Sequence, residues 1–375
     1  MPAKSRICKT CPTAIRADNK SGQCIRCLSG QKVEVVFDSA LTPTGLVQQD
    51  RDNRKSAQDL RSLRQKYDSS LKTIEKLEED LRTVQHFGDS INTFAITPRE
   101  GSGTGEATPV IVASDWHCEE VVRPEQVSGL NEHNLDISKA RATRFFQSSL
   151  RLIRLLQQDV KINDVVLALL GDFLSNDIHE EFPENNALQP IHATLFAQEL
   201  IASGIEFLLE HSRLNLTIPC HSGNHARTTR TVRVSSENGH SLEYFMYRSL
   251  AGYFRNEPRV KFIIPEGYHS YMDVYGHTLR FHHGHEINYQ GGVGGIYIPV
   301  NKAIAQWNKA RRADLDVFGH FHQARDGGNF ICNGSSIGYN AYALSIKADF
   351  ETPRQQLFLM DKKRGRTCTW PILLK

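Results

Sequence analysis

The sequence has no long hydrophobic run. No stretch approaches the roughly 18 apolar residues that a membrane-spanning helix requires, and no hydrophobic segment follows the basic, polar N-terminus, as it would in a secretory signal. Neither sign of charge dominates, because 45 Lys and Arg nearly balance 42 Asp and Glu. These absences argue against a membrane, secreted or disordered protein. We expect a globular, cytoplasmic protein.

Cysteine is scarce outside one short segment. Four of the eight cysteines form two closely spaced pairs, Cys8/Cys11 and Cys24/Cys27. Two such pairs can surround one Zn²⁺ tetrahedrally, whereas two disulfides would need an oxidising compartment that nothing else in the sequence indicates. We predict a zinc-ribbon-like module over residues 1–36, with one structural Zn that supplies most of its folding energy. Its basic residues favour contact with nucleic acid, while an interaction or stability module is the alternative.

A highly charged helical segment is predicted over residues 50–88. Its apolar residues repeat every seven positions, the spacing of a coiled coil over four heptads. The two core positions are occupied by Leu60, Tyr67, Ile74 and Leu81, and by Leu63, Ser70, Leu77 and Val84. One long helix packed on the main domain would show the same pattern, since Ser70 and Tyr67 are unusual core residues. We favour a homo-oligomer formed through residues 50–86.

Residues 97–109 contain three Gly, two Pro and no large apolar side chain. This is the composition of a flexible linker. We therefore predict that a larger domain occupies residues 110–375.

Short apolar runs alternate with amphipathic helical stretches in this larger domain, which predicts an α/β fold. Predicted strands end near Ala113, Leu170, Pro219 and Phe318, and polar residues follow each of them. The carboxyl ends of parallel strands form the edge where α/β sheets bind ligands. We expect these polar residues to form a site.

Five short motifs supply the polar residues. They are Asp115-x-His117, Gly171-Asp172, Gly223-Asn224-His225, His283-Gly284 and Gly319-His320-x-His322. Each motif alone is more often structural than functional. Together they offer carboxylate, imidazole and amide ligands, which suit Mn²⁺, Fe or Zn²⁺, and two such ions need one shared carboxylate.

This ordered set resembles the calcineurin-like metallophosphoesterase superfamily over roughly residues 108–335. The resemblance implies a β-sandwich flanked by helices and a catalytic domain over residues 110–375 that holds two divalent metal ions, of which we favour Mn²⁺. It implies that one ion is bound by Asp115, His117 and His322, the other by Asn224, His283 and His320, and that Asp172 bridges both. His225 would lie near the leaving group.

One departure from the family pattern concerns His225. Many members carry Asp or Glu directly after the Asn-His pair, where this sequence has Ala226. Another group must therefore orient His225. Asn176 and Asp177, four and five residues after Asp172, are candidates for a supporting hydrogen bond.

Three histidines compete for the fourth motif. Strand alternation points His283 away from His282, and His283 directly precedes Gly284, as in the family. We choose His283 as the metal ligand and assign His285 to substrate binding or to support of the ligands.

The predicted chemistry is metal-dependent hydrolysis of a phosphodiester by hydroxide held between the two ions, with Asp172 and His225 as catalytic residues. Arg227 and Arg230 could clamp a phosphate, while Arg233 equally suits a solvated face. With the basic zinc module, they favour a nuclease-like enzyme on nucleic acid, particularly DNA, of the general kind of SbcD-type repair nucleases.

Two other functions fit the same sequence. A phosphodiesterase or phosphatase could act on small nucleotides or phosphomonoesters, with the zinc module binding a protein partner. A binding protein could retain a vestigial metal site, but the complete set of seven expected ligands argues against it.

Overall fold

The computed structural model describes residues 6–7, 14–15, 43–89, 105–178, 182–289, 291 and 295–375. The chain divides into two units, with the boundary between Thr97 and Pro98. Cys8, Cys11, Cys24 and Cys27 lie outside the described residues, so the zinc module stays a prediction. None of the described helices is both long and apolar enough to cross a bilayer.

The first unit contains one short strand pair and one long helix. Strands β1 (Arg6–Ile7) and β2 (Ala14–Ile15) pair antiparallel. Helix α1 spans the 47 residues Pro43–Asp89, which include the helical segment predicted over 50–88. Every side chain from Leu46 to Arg82 is exposed.

The second unit contains two β-sheets and six α-helices among its described residues. The helices are α2 (Leu135–Leu156), α3 (Phe182–Asn185), α4 (Pro190–His211), α5 (Leu242–Tyr253), α6 (Tyr297–Ala310) and α7 (Ala341–Ser345). The strands are β3 (Gly105–Ala113), β4 (Val160–Lys161), β5 (Asp164–Leu169), β6 (Asn215–Pro219), β7 (Val260–Ile263), β8 (Ser270–Val274), β9 (His277–Phe281), β10 (Leu315–Phe318), β11 (Arg325–Asp326), β12 (Phe330–Cys332), β13 (Arg354–Asp361) and β14 (Gly365–Leu373).

The larger sheet has the order β14-β13-β3-β5-β6-β7, and β4 pairs with β3. Strands β3, β5, β6 and β7 are parallel, whereas β13 and β14 are antiparallel neighbours. The smaller sheet has the order β11-β12-β10-β9-β8, with β9, β10 and β12 parallel. The carboxyl ends of β3, β5 and β6 therefore share one edge, and those of β9 and β10 share another.

The alternation of side chains along each strand creates two cores. Val110, Val112 and Val166 face the smaller sheet, where they pack against Leu279 and Val317. The intervening residues of β3 and β5 pack against helices α2, α4 and α5, and α6 packs on the other face of the smaller sheet. The unit is thus a mixed α/β sandwich of two sheets flanked by helices.

The predicted linker ends earlier than residue 109. Gly105 to Pro109 belong to β3, where Gly105 pairs with Val160 and Pro109 with Leu359. Their small and polar side chains gave this stretch the composition of a linker. Cross-strand pairing, which composition does not reveal, holds it in the sheet.

Candidate metal centre

The strand ends bring the motifs into contact through hydrogen bonds donated by their backbone amides. The amide of Asp115 donates to the carbonyl of Gly171 at 2.9 Å, and the amide of His117 donates to the carbonyl of Asp172 at 3.1 Å. The Asp172 carboxylate accepts the amide of His225 at 2.9 Å, and the Asp115 carboxylate accepts that of His320 at 3.0 Å. Four of the motif loops are therefore fastened to one another by their own hydrogen bonds.

Glycines in the motifs allow the loops to approach this closely. A Cβ built on Gly223 would lie 2.0 Å from Oδ1 of Asp172, and one on Gly319 would lie 2.3 Å from Oδ2 of Asp115. Gly171 has a positive φ of 84°, and its Cβ would meet the backbone of Gly223 at 2.2 Å. The glycines of these motifs are thus required by contact between the loops.

We expect Gly223→Ala to displace Asp172 and to weaken metal binding by tenfold or more, because the added carbon cannot be accommodated without moving the carboxylate. Gly239→Ala is the matched control, since a Cβ there meets nothing within 4 Å. Metal titration followed by calorimetry measures both variants. Equal affinity of the two would contradict the role given to Gly223.

Three overlapping groups of side chains lie close enough to hold metal ions. Their ligand atoms are within 4.8 Å of one another in each of the groups Asp115/His117/His322, His117/Asp172/His225 and Asp172/His283/His320. Six of the seven predicted ligands are in these groups. The seventh, Asn224, follows Gly223 and has a buried Oδ1 without a hydrogen-bond partner among the described residues.

The orientation of His283 fits a cation. Its Nδ1 lies 2.6 Å from the carbonyl of Leu170 and must donate to it. In a neutral ring, Nε2 would then present a lone pair to the Asp172 carboxylate 2.9 Å away. Burial opposes protonation, but the Asp172 charge outweighs it and raises the pKa of His283 to about 10. A proton or a metal ion must lie between these two atoms.

His117 likewise presents the lone pair of its Nε2 to a neighbouring ring nitrogen. Nδ1 of His117 lies 2.9 Å from Oγ of Ser175, which itself donates to Glu120, so His117 is the donor. Its Nε2 lies 3.2 Å from Nε2 of His322. Burial, reinforced by His225, lowers the pKa of His117 well below the usual value and keeps its ring neutral. The residues present therefore fit a bound cation at this pair as well.

Five of the predicted ligands have left-handed backbone conformations. Their φ angles lie between 46° and 68°, at Asp115, His117, Asp172, His320 and His322. Non-glycine residues adopt this region at a cost of about 1–3 kcal/mol each, and such residues cluster at functional sites. The hydrogen bonds between the loops hold them there.

Metal binding at His283 should release about one proton at pH 8. The apoprotein holds this proton because its pKa of about 10 lies above the pH, and an ion bound at Nε2 must displace it. Calorimetric titration in two buffers of different ionisation enthalpy measures the release. A binding enthalpy that is the same in both buffers would contradict this arrangement.

The group that orients His225 is a backbone carbonyl. Nδ1 of His225 lies 3.1 Å from the carbonyl of Ser175 and donates to it. This carbonyl orients the ring, as an Asp or Glu side chain at the position of Ala226 would. Nδ2 of Asn176 donates to the carbonyls of His225 and Arg227, at 2.9 Å each, and fastens their loop. Of the two candidates named from the sequence, Asn176 makes the supporting bonds and Asp177 is exposed.

Three buried carboxylates that no sequence motif reveals support the site. Glu243 accepts the amides of Phe173 and Gly223, at 2.6 and 2.7 Å, and so joins the loops that follow β5 and β6. Burial, reinforced by the Asp172 charge, raises the pKa of Glu243 to about 8. Glu119 accepts the amides of Ser175 and Asn176, and Glu120 accepts the Ser175 hydroxyl. Glu119 and Glu120 follow His117 closely, but Glu243 lies in helix α5 and has no motif to reveal it.

The three histidines of the fourth motif separate as strand alternation predicts. His283 faces Asp172, whereas Nε2 of His282 lies 3.3 Å from Asp316 on the other side. The side chain of His285 is only 4% exposed, and its ring centroid is 5.5 Å from that of His283. His285 therefore lies beside His283, a position that suits support of the ligands, and its role in substrate binding stays a prediction.

The predicted substrate residues differ in their surroundings. Arg227 is half-buried and donates to the carbonyl of Asn224, which places its guanidinium beside the metal motif. Arg230 and Arg233 are exposed. Nη1 of Arg233 lies 3.4 Å from Nε2 of His240. Arg227 is thus the arginine of the three that the structure ties to the site.

The chain is distantly similar to several solved structures. No family model and no curated protein matches the chain. Vps29 from Entamoeba histolytica, solved as a complex with Zn²⁺, is 11% identical with a TM-score of 0.27, and the match covers 70% of this chain and 99% of that one.

Two further solved structures are similar to the chain at the same level. A hypothetical protein from Pyrococcus horikoshii is 11% identical with a TM-score of 0.35 over 70% of this chain and 87% of its own. A Streptococcus pneumoniae protein described as a predicted phosphoesterase is 11% identical with a TM-score of 0.29 over 71% and 98%. Matches this distant carry no argument about function, which must rest on the site itself.

Proposed function

We propose that the protein is a phosphoesterase that depends on two divalent metal ions. The observation that carries this proposal is the position of Asp172. A carboxylate oxygen of Asp172 lies within 4.8 Å of a ring nitrogen of His117, and the same holds for His283 and His320 in a separate group. A carboxylate shared in this way is what two adjacent cations require. Histidine, carboxylate and amide donors suit Mn²⁺, Fe or Zn²⁺, with Mn²⁺ preferred.

Two ions in this site would supply a nucleophile at neutral pH and neutralise charge on the phosphoryl oxygens. The protein's own residues perform the remaining tasks. His225 is held through Nδ1 by the Ser175 carbonyl, which directs Nε2 to exchange a proton with the leaving oxygen. Arg227, tied to the Asn224 carbonyl, orients a phosphate beside the ions.

We expect His225→Ala to lower kcat by about 10²- to 10⁴-fold, the usual contribution of a general acid, while both metal ions are retained. Turnover and metal content by mass spectrometry are measured on the same sample. The exposed His192 supplies a control, and His192→Ala should change neither value. Loss of metal from His225→Ala would instead make His225 a ligand, as its place in the His117/Asp172/His225 group allows.

The substrate class that we propose is a phosphodiester in nucleic acid. The support comes from Arg227 beside the site, from the exposed Arg230 three residues further on, and from the basic residues of the N-terminal segment. Cationic side chains of this kind bind a polyphosphate backbone without reading its sequence.

The substrate is tested with the full chain and Mn²⁺. Single- and double-stranded DNA and RNA are compared with bis-p-nitrophenyl phosphate and p-nitrophenyl phosphate. We expect cleavage of a polymer and of the small diester, with polymer binding that weakens steeply as salt rises and less steeply in Arg230→Ala. If only p-nitrophenyl phosphate or the small diester were cleaved, the proposal of a polymeric substrate would be wrong. The protein would then be an enzyme that hydrolyses small phosphate esters. If none of these substrates were cleaved, the proposed phosphoesterase activity would be wrong.

A further inference from the structure

Helix α1 exposes an apolar stripe, which we define as Leu60, Leu63, Tyr67, Ile74, Leu77 and Leu81. Their exposed fractions range from 51% to 66%. With Ser70 between Tyr67 and Ile74, the stripe follows spacings of three and four residues, so it stays on one side of a helix that supercoils around a partner. Helices of mostly charged residues gain most of their stability from packing such a face, and no other described residue of the first unit covers this one.

We propose that a second copy of this chain covers the stripe as an antiparallel two-stranded coiled coil. In this register Leu63 lies opposite Leu81 of the second copy, and Tyr67 lies opposite Leu77. Ser70, the polar core position, then packs against Ile74 of the second copy. Leu71, which lies beside the stripe and is 40% exposed, meets its own copy at the two-fold axis.

The charges beside the stripe select this orientation. Basic Arg64 and Lys66 flank its first half, and acidic Glu78 and Asp80 flank its second half. Antiparallel pairing places Arg64 beside Glu78 and Lys66 beside Asp80, and the symmetry repeats both contacts. Opposite charges at these flanking positions set partner choice and orientation in coiled coils.

A parallel pair of helices would bury the same stripe with poorer core contacts and fewer opposite-charge contacts. Ser70 would face its own copy in the core, and so would Tyr67. Only Arg64 would find an opposite charge, at Asp59 of the second copy. Lys66, Glu78 and Asp80 would then face uncharged residues of the second copy, and Glu78 would keep only its pairing with Arg82 of its own helix.

Charge reversal in the full chain tests both the dimer and its orientation. We expect wild type to have twice the 42.4 kDa chain mass by light scattering. Arg64→Glu and Glu78→Arg should each weaken the dimer about tenfold, because each replaces two attractive contacts with two repulsive ones. The double variant should recover wild-type affinity. Glu79→Arg, on the outer side of the helix, is the control and should have no effect.

Sedimentation equilibrium gives the dissociation constants. Wild type that stays at the mass of one chain at 100 μM would overturn the dimer. An unaffected Glu78→Arg variant, together with a double variant that stays as weak as Arg64→Glu, would indicate the parallel arrangement and overturn the orientation. Because the substitutions lie on an exposed helix far in sequence from the metal motifs, phosphoesterase activity is not their readout.

Discussion

Asp172→Ala should lose hydrolysis and metal binding together. Its carboxylate is 1% exposed and lies within reach of His117, His283 and His320, so in the proposed two-ion site neither ion would keep a complete set of ligands without it. Two such ions would supply several kcal/mol of transition-state stabilisation, and each 1.36 kcal/mol is a tenfold change. We expect kcat/KM to fall by at least about 10³-fold.

The measurement is turnover of the small diester together with metal content after dialysis. Asp177→Ala is the matched control, because Asp177 is an exposed carboxylate five residues away in the same loop. It should bind metal and turn over as wild type does. An Asp172→Ala protein that keeps both ions would show that the bridging role is wrong, even if its activity were low.

Asp316→Asn should be the most destabilising of the substitutions considered. Nε and Nη2 of Arg280 donate to the two Asp316 oxygens at 2.6 and 2.9 Å, and both side chains are at most 1% exposed. Removing the carboxylate charge leaves the guanidinium buried without an opposite charge, which costs about 3–5 kcal/mol. Urea unfolding of the apoprotein measures the change in the free energy of unfolding.

A half-buried ion pair provides the comparison. Arg259 and Glu257 are 31% and 29% exposed, so Glu257→Gln should cost no more than about 1 kcal/mol. If Asp316→Asn were equally mild, the Arg280 charge would not depend on its partner. Asp316 and Arg280 lie on adjacent strands just before His320 and His283, and their loss should also weaken metal binding.

The meeting of the motif loops could be predicted from the sequence because each motif follows a strand closely. Parallel strands end at one edge of a sheet. The sequence periodicity that predicts the strands therefore also predicts that Asp115, Asp172 and Asn224 lie near one another. Strand alternation likewise separated His283 from His282. These are local regularities, and a single sequence displays them.

What the sequence could not show depends on contacts between distant segments. The Ser175 carbonyl that orients His225 is a backbone group, which has no sequence signature. Glu243 supports the site from a helix whose own pattern indicates only amphipathicity. The composition of Gly105 to Pro109 predicts a linker. Their place in the sheet depends on pairing with β4 and β13, which lie far away in the sequence.

The hydrogen bonds between the motif loops bear on whether the proposed metal centre would be assembled before or after an ion binds. The amides of Asp115, His117, His225 and His320 are satisfied by the protein itself, so the donor groups are assembled when the chain folds. A four-cysteine module, by contrast, gains its fold from its ion. In the proposed metal centre an ion could therefore enter after folding is complete, and the supply of metal, together with the donor set, would decide which ion is bound.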